Sequence, residues 1–121
     1  MTATTGKSIE ELIETAYAAF NSRNIEDALR TFHEDVEWPK AFEGGYVQGH
    51  NEIRKYWTRQ WAEIDPNVAI TGILKRADGS YEVGVHQVVK DLDGNTLFDG
   101  NIKHIYIPEG NLLRRMDIEL E

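Results

Sequence analysis

Three strand-like segments in the second half of the chain each carry a side chain able to move a proton or stabilise a charge, namely His86, Lys103 and Asp117. Because side chains alternate across a strand, a histidine and an aspartate on neighbouring strands can meet on one face of a sheet. Asp117 could then fix the imidazole tautomer of His86 as a base near neutral pH, and Lys103 could stabilise an oxyanion. Such a site suits proton abstraction beside a carbonyl, followed by cyclisation, isomerisation or elimination.

Other motifs that carry chemistry are missing from the sequence. It has no cysteine, which excludes a thiol nucleophile and a disulfide framework. The four histidines show no His-Glu-x-x-His spacing, and there is no Gly-x-Ser-x-Gly motif. Gly44-Gly45 is too short to cradle a phosphate. We therefore expect no metal and no cofactor.

Length and charge point to one acidic domain. The 121 residues predict a single domain over 1–121, with 1–7 as a disordered tail. A net charge of −8 repels phosphate backbones and anionic lipid, so we expect neither a nucleic-acid nor a membrane partner. The polar first residues do not resemble a signal peptide, and no apolar run approaches the roughly 20 residues of a membrane span. These features predict a cytoplasmic location.

The first half of the chain has the pattern of three helices. Ser8 and Glu11 have capping-box spacing, and Asn24 and Asn51 are candidate caps of the second and third helices. Asp65-Pro66 is predicted to end the third helix. The three apolar stripes consist of Ile9, Leu12, Ile13, Ala16 and Phe20, then Ile25, Ala28, Leu29 and Phe32, then Ile53, Trp57, Trp61 and Ile64.

The second half of the chain has the pattern of strands joined by tight turns. A short strand at Val36–Trp38 and a loop at Lys40–Gly49 come first, and Asp78-Gly79 and Asp93-Gly94 are hairpin signals further on. The strands predicted there are Val68–Lys75, Tyr81–Lys90, Thr96–Ile107 and Leu112–Leu120. Helices followed by consecutive hairpins predict an α+β fold, with the helices on one face of an antiparallel sheet.

Three segments of this pattern resemble the SnoaL-like branch of the nuclear transport factor two-like superfamily. They are His33–Pro39, Gly49–Trp57 and His104–Leu112, and the likeness extends over nearly the whole chain. The resemblance implies a cone-shaped roll, with N-terminal helices on a strongly curved antiparallel sheet with a mixed edge, around an internal pocket. Members include polyketide cyclases, ketosteroid isomerase, limonene epoxide hydrolase and scytalone dehydratase, beside proteins that only bind or assemble. The site must therefore decide the function.

When the chain is aligned with these enzymes, it retains only some of their catalytic residues. At the three positions of ketosteroid isomerase, a system also used as a general example of tuned carboxyl groups, the chain has Trp38, Ala16 beside Tyr17, and Lys103. Of the three positions of the epoxide hydrolase, Gly84 and His86 depart and Asp117 agrees. The cyclases resemble the chain best, with Asp117 at their acid/base position and their histidine at Lys103 or, with a one-residue gap, at His104. The resemblance turns His86, Lys103 and Asp117 toward the interior.

The pattern of the last strand favours the opposite orientation. Periodicity alone sends its apolar residues to the core and Arg115, Asp117 and Glu119 to solvent. Those apolar residues are Leu112, Met116, Ile118 and Leu120. The orientation implied by the family requires something to cover that apolar face, which leads us to expect a homodimer through the sheet.

The aromatic residues are candidates for the wall of a pocket. We expect a small hydrophobic molecule to contact Trp38, Tyr17, Phe20, Tyr56, Trp57 and Ile105. Three functions stay open: a cofactor-free acid/base enzyme acting on an apolar carbonyl compound, a non-catalytic binding protein, and a dimeric assembly domain. An inward pair of histidine and carboxylate favours the enzyme, and an apolar lining favours binding.

Overall fold

A computed structural model describes residues 8–40 and 43–120, with side-chain surroundings through residue 119, so the predicted tail at 1–7 and the side chain of Leu120 lie outside the described residues. Three helices and six strands follow one another along the chain. They are α1 (Ile9–Asn21), α2 (Ile25–Leu29), β1 (Phe32–Pro39), β2 (Tyr46–Gln48), α3 (His50–Trp61), β3 (Ile64–Lys75), β4 (Tyr81–Asp91), β5 (Thr96–Glu109) and β6 (Leu112–Leu120). None of these helices is long and apolar enough to cross a membrane.

Side-chain caps fix where the first two helices begin. Ser8 accepts a hydrogen bond from the backbone N–H of Glu11, whose carboxylate accepts one from the N–H of Ser8 in return. Asn24 caps α2 through the N–H of Asp27. Both caps were predicted, and they satisfy backbone donors that have no partner inside the helix.

The six strands form one mixed sheet in the order β2-β1-β6-β5-β4-β3. Hairpins join β3 to β4, β4 to β5 and β5 to β6, which confirms the predicted antiparallel meander. Gly79 and Gly94 adopt positive φ in the first two turns, where a residue without Cβ is favoured. β1 pairs with β6 in parallel, so the sheet is mixed at this end. The helices pack on one face, and the α+β roll is confirmed.

The element boundaries differ from the prediction in two regions. Phe32 begins β1 rather than completing α2, and β2 lies within the segment predicted as a loop. Gly49 rather than Asn51 occupies the N-cap of α3, and α3 ends at Trp61. Pro66 lies inside β3 instead of ending a helix, because β3 is an edge strand and a missing N–H costs little on its free side.

The sheet has two chemically different faces, which we call the inner face and the outer face. The inner face packs on the helices and carries apolar side chains from β4, β5 and β6, which include Val83, Val85, Ile102, Tyr106 and Met116. The outer face carries cross-strand ion pairs, among them Arg76 with Glu82 at 2.9 Å and Arg115 with Glu37 at 3.2 Å. The helices therefore bury the inner face of the sheet, and the outer face is charged.

Candidate functional site

An inner cavity of about 50 Å³ lies between the helices and the inner face of the sheet. α1 contributes Ala16, Tyr17 and Phe20, and α3 contributes Tyr56, Trp57 and Gln60, because residues one and four positions apart project to one side of a helix. The strands supply the rest of the lining: Phe32, Trp38, Pro39, Pro66, Val68, Gln87, His104, Tyr106, Met116 and Ile118.

Seven of the sixteen lining residues of the inner cavity are Phe, Trp or Tyr. The ring centroids of Trp38 and Trp57 lie 5.4 Å apart in an edge-to-face arrangement. Phe32 packs on Trp38 at 5.1 Å, and Phe20 packs on Trp57 at 5.2 Å. Edge-to-face contacts of this kind hold rings in fixed orientations. The rings of the wall are therefore held in place by one another.

Three polar side chains of this wall are linked by hydrogen bonds, and we call them the Tyr–His cluster: Tyr17, His104 and Tyr106. The hydroxyl of Tyr17 lies 2.5 Å from Nδ1 of His104, and the hydroxyl of Tyr106 donates to that of Tyr17 at 3.0 Å. His104 and Tyr106 stand two residues apart on β5, so strand alternation turns both toward α1. All three are almost fully buried, with exposed fractions of 5%, 5% and 1%.

Burial keeps every member of the Tyr–His cluster neutral. Removal from water lowers the pKa of His104 to about 4, so the imidazole carries no charge at pH 7. Burial raises the pKa of Tyr17 and of Tyr106, so both phenols stay protonated. The cluster therefore offers uncharged donors and acceptors in an apolar wall.

A second, more open space of about 430 Å³, which we call the outer chamber, adjoins the inner cavity. The two spaces share Tyr56 and Gln60. The apolar part of the outer chamber comes from Ile64, Val89, Leu97 and Phe98, and its charged part from Glu43, Arg59 and Glu63. Arg59 pairs with Glu43 at 2.5 Å and lies over the ring of Tyr56.

The residues expected to do chemistry lie on the outer face instead. His86 pairs with Asp99 at 2.5 Å, Lys103 pairs with Glu82 at 3.5 Å, and Asp117 accepts from Arg115 and Tyr46. Their side chains are 46%, 39% and 31% exposed. The hydrogen bond from Arg115 lowers the pKa of Asp117 and so keeps it ionised. Their placement in the interior was wrong, and a catalytic role for them stays a prediction.

Two expectations were wrong, the orientation of these residues and the pairing of His86 with Asp117: β5 lies between β4 and β6, so the two side chains are not on neighbouring strands. Gly84 pairs with Lys103, and Ile105 pairs with Asp117, so these residues share a face as expected. That face is the outer one, because the apolar partners Met116 and Ile118 occupy the inner face. The periodicity of β6 had predicted this orientation, and the family alignment had reversed it. A one-residue offset exchanges the two faces of a strand.

Five of the six predicted wall residues line the inner cavity: Trp38, Tyr17, Phe20, Tyr56 and Trp57. Ile105 was placed wrongly, since it lies on the outer face opposite Asp117, although it is only 6% exposed. The lining also includes His104, Gln87 and Tyr106, which were not among the predicted wall residues. The signal for β5 was the spacing of Ile102, His104 and Tyr106, which pair across the sheet with Val85, Val83 and Tyr81.

No ionic ligand set for a metal emerges from the structure. Within residues 8–40 and 43–120, no cluster of three or more His, Asp or Glu side chains could hold a metal ion. The described lining of the inner cavity likewise contains no Asp, Glu, Lys or Arg. The chemistry available inside is therefore hydrogen bonding by neutral groups.

Comparison with solved structures identifies the same architecture elsewhere. TerC, co-crystallised with polyporic acid, is 25% identical, has a TM-score of 0.81, and the match covers 93% of this chain and 91% of TerC. A candidate polyketide cyclase from Pseudomonas putida KT2440 is 20% identical with a TM-score of 0.75, covering 96% of this chain and 93% of that one. No curated protein matches the sequence.

A third structural neighbour comes from Catenulispora acidiphila and has a ketosteroid isomerase-like fold in complex with trimethylamine. It is 17% identical with a TM-score of 0.79, and the match covers 92% of this chain and 85% of that one. The model of the SnoaL-like domain matches residues 13–96, which include all three helices except the first turn of α1. The chain belongs to the SnoaL-like domain family.

Proposed function

We propose that the protein binds a small, mostly apolar organic molecule in the inner cavity and the adjoining outer chamber. One observation carries this proposal: a buried, fully neutral Tyr–His cluster lies in a mostly apolar wall that contains no charged side chain. A few convergent polar groups in a concave apolar lining are the usual composition of a small-molecule site. The aromatic rings hold the apolar body of the ligand, and the Tyr–His cluster fixes its orientation.

The sizes of the two spaces set the size of the ligand. The inner cavity of about 50 Å³ holds on the order of three or four water molecules. It can accept one functional group but not a whole ring system, whereas the outer chamber of about 430 Å³ is in the range of ligand pockets. The ligand therefore extends one group past Tyr56 and Gln60 and keeps its bulk in the outer chamber.

Ligands of the structural neighbours support binding without naming the compound. TerC was co-crystallised with polyporic acid, and the Catenulispora protein is in complex with trimethylamine. These two molecules differ in size and in charge. The likeness therefore supports a small organic ligand as a class, and the chemistry of this chain's own lining has to select among compounds.

The test is a titration with acetophenone, a neutral aromatic ketone, followed by ¹H–¹⁵N NMR. Ala16→Leu adds three carbons at the inner cavity, whereas the same change at the exposed Ala18 in the same helix adds them in solvent. We expect Ala16→Leu to weaken binding about tenfold or more, and Ala18→Leu to leave it unchanged. Equal affinities in both variants, with both folded by circular dichroism, would place the ligand elsewhere.

Acid/base chemistry on the bound carbonyl compound is the second candidate. The 2.5 Å contact between Tyr17 and Nδ1 of His104 favours it, because it joins a phenol to a possible base. A pKa of about 4 makes that base weak at neutral pH, so binding is the better supported function. Loss of deuterium from the methyl group of labelled acetophenone measures enolisation. Exchange that is fast in the native chain and slow in His104→Ala would favour the enzyme.

A homodimer through the outer face belongs to the proposal as well. Leu74 and Ile107 project from that face with exposed fractions of 60% and 42%, between rows of charged side chains. Pairing of two such faces buries the apolar residues and places opposite charges against one another. Sedimentation equilibrium at micromolar concentration is expected to give twice the chain mass of 13.9 kDa. The single-chain mass would overturn the dimer, and the cytoplasmic location stays a prediction from sequence.

A further inference from the structure

The hydrogen bonds of the Tyr–His cluster determine which ring nitrogen of His104 carries the proton. The hydroxyl of Tyr106 donates to the oxygen of Tyr17. The proton of Tyr17 then has Nδ1 of His104, at 2.5 Å, as its acceptor. The opposite tautomer, with a proton on Nδ1, would leave one of the two buried hydroxyl protons, that of Tyr17 or that of Tyr106, without a partner among the described residues, which costs about 1–3 kcal/mol. The neutral imidazole is therefore held with its proton on Nε2.

The donor at Nε2 is not used inside the protein. Among the residues that the structure describes, only Tyr17 hydrogen bonds to the ring of His104, and it does so at Nδ1. The ring lines the inner cavity, with 5% of the residue exposed. Trp57, on the same wall, has an indole N–H that is buried without a partner among the described residues, as does Trp61. Unpaired buried donors are uncommon, and a ligand can supply the missing acceptor.

Charge is excluded from the same wall. The polar residues of the described lining, which are the Tyr–His cluster, Tyr56, Trp57, Gln60 and Gln87, are all neutral at pH 7. An anionic group entering this wall would lose its hydration and meet no cation in return. The outer chamber has two carboxylates, Glu43 and Glu63, and one cation, Arg59, which already pairs with Glu43. A neutral acceptor such as a carbonyl oxygen fits the donors without this penalty.

We infer that His104 determines ligand specificity: held as the Nε2–H tautomer by Tyr17, it selects ligands whose inserted group is an uncharged hydrogen-bond acceptor. This inference rests on the proposed binding function and adds the chemical class of the recognised group. The site discriminates against the matching hydrocarbon, which leaves the donor of His104 unpaired, and against the carboxylate, which must be buried as a charge.

Three probes of the same ring size separate these cases: acetophenone, ethylbenzene and benzoate. With the native chain we expect acetophenone to bind about tenfold more tightly than ethylbenzene, and benzoate to bind more weakly than either. Long-range ¹H–¹⁵N correlation reads the tautomer independently of any ligand, and it is expected to show a proton on Nε2 and none on Nδ1 of His104. A proton on Nδ1 would overturn the inference.

Variants at two histidines test the residue itself. His104→Leu is expected to remove the preference for the ketone over the hydrocarbon, His104→Gln to retain part of it through an amide donor, and His86→Leu on the outer face to retain all of it. Equal binding of ketone and hydrocarbon by the native chain would overturn the specificity while leaving the proposed function intact. No binding of either compound would overturn both.

Discussion

The two faces of the central strands place similar side chains in opposite environments. His104 and His86 belong to neighbouring strands of the same sheet, β5 and β4. His104 faces the helices, is 5% exposed and bonds to a phenol. His86 faces outward, has a 46% exposed side chain and pairs with Asp99. The two histidines differ in their exposure to water. Burial lowers the pKa of His104 to about 4, whereas the charged groups of the outer face pair with one another.

The contrast between the two faces shows that an ion pair on a strand is weak evidence for a functional site. Asp117 has the partners expected of a functional carboxylate, Arg115 and Tyr46, yet all three lie on the solvent side of the sheet. Exposed ion pairs contribute little because water screens them. Neutral polar groups buried in an apolar wall are rarer and need a reason.

The largest contrast is expected from truncating the two histidines. His104→Ala leaves a void and removes the acceptor of the Tyr17 proton, so it should lower the free energy of unfolding by about 2–4 kcal/mol. His86→Ala should change it by less than about 0.5 kcal/mol, because only an exposed pair is lost. Urea unfolding of both variants measures the difference. Equal losses would contradict the division into two faces.

The pH dependence of stability should show the same division. The folded-state pKa of His104 is lowered from 6.5 to about 4, so the unfolded chain binds a proton that the folded chain excludes between these pH values. No penalty exists above pH 6.5, and it grows as the pH falls toward 4, reaching about 3 kcal/mol. Unfolding free energies across this range should fall less steeply in His104→Ala than in His86→Ala. Parallel curves would show that His104 titrates normally.

A smaller effect is expected from removing one hydroxyl on each face. Tyr17→Phe leaves Nδ1 of His104 without its donor and Tyr106 without its acceptor, so we expect a loss of about 1–2 kcal/mol. Tyr46→Phe removes the bond to Asp117 on the outer face and should cost less than about 0.5 kcal/mol. Thermal unfolding compares the two. A larger loss at Tyr46 would reverse the assignment of the faces.

The smallest effect is expected from Asp117→Asn. The change weakens the pair with Arg115 but keeps an acceptor for Tyr46, so stability should fall by about 0.5 kcal/mol or less. Affinity for acetophenone should stay within twofold of that of the native chain, since Asp117 does not line the inner cavity. Isothermal calorimetry reads the affinity. Loss of ketone binding in this variant would restore Asp117 to the site.

The fold could be predicted because local signals and the family resemblance agreed. The cap at Ser8, the helical stripes and the turns at Gly79 and Gly94 each fix an element by short-range physics. The aromatic wall followed as well, since Trp38 and Trp57 are too large and apolar to lie elsewhere. β2 escaped prediction because three residues carry almost no periodicity.

The site could not be predicted from residue types alone. β5 has a lysine on one face and a histidine on the other, at Lys103 and His104. Which of them faces inward depends on which apolar neighbours pack against the helices. In β6 the correct signal was Met116 and Ile118, and the alignment outweighed it. In β5 the ambiguity between Lys103 and His104 was a single residue, which was enough to exchange an ion-paired lysine for a buried imidazole.

The most direct test of the central claim is to locate acetophenone on the protein by intermolecular nuclear Overhauser effects. The account predicts contacts from the ketone methyl group to Trp57, Met116 and Tyr106, with the phenyl ring near Phe98 in the outer chamber. Contacts to the outer-face residues Ile105 and Ile107, with none to the Tyr–His cluster, would contradict this placement of the ligand and would locate the binding site on the outer face.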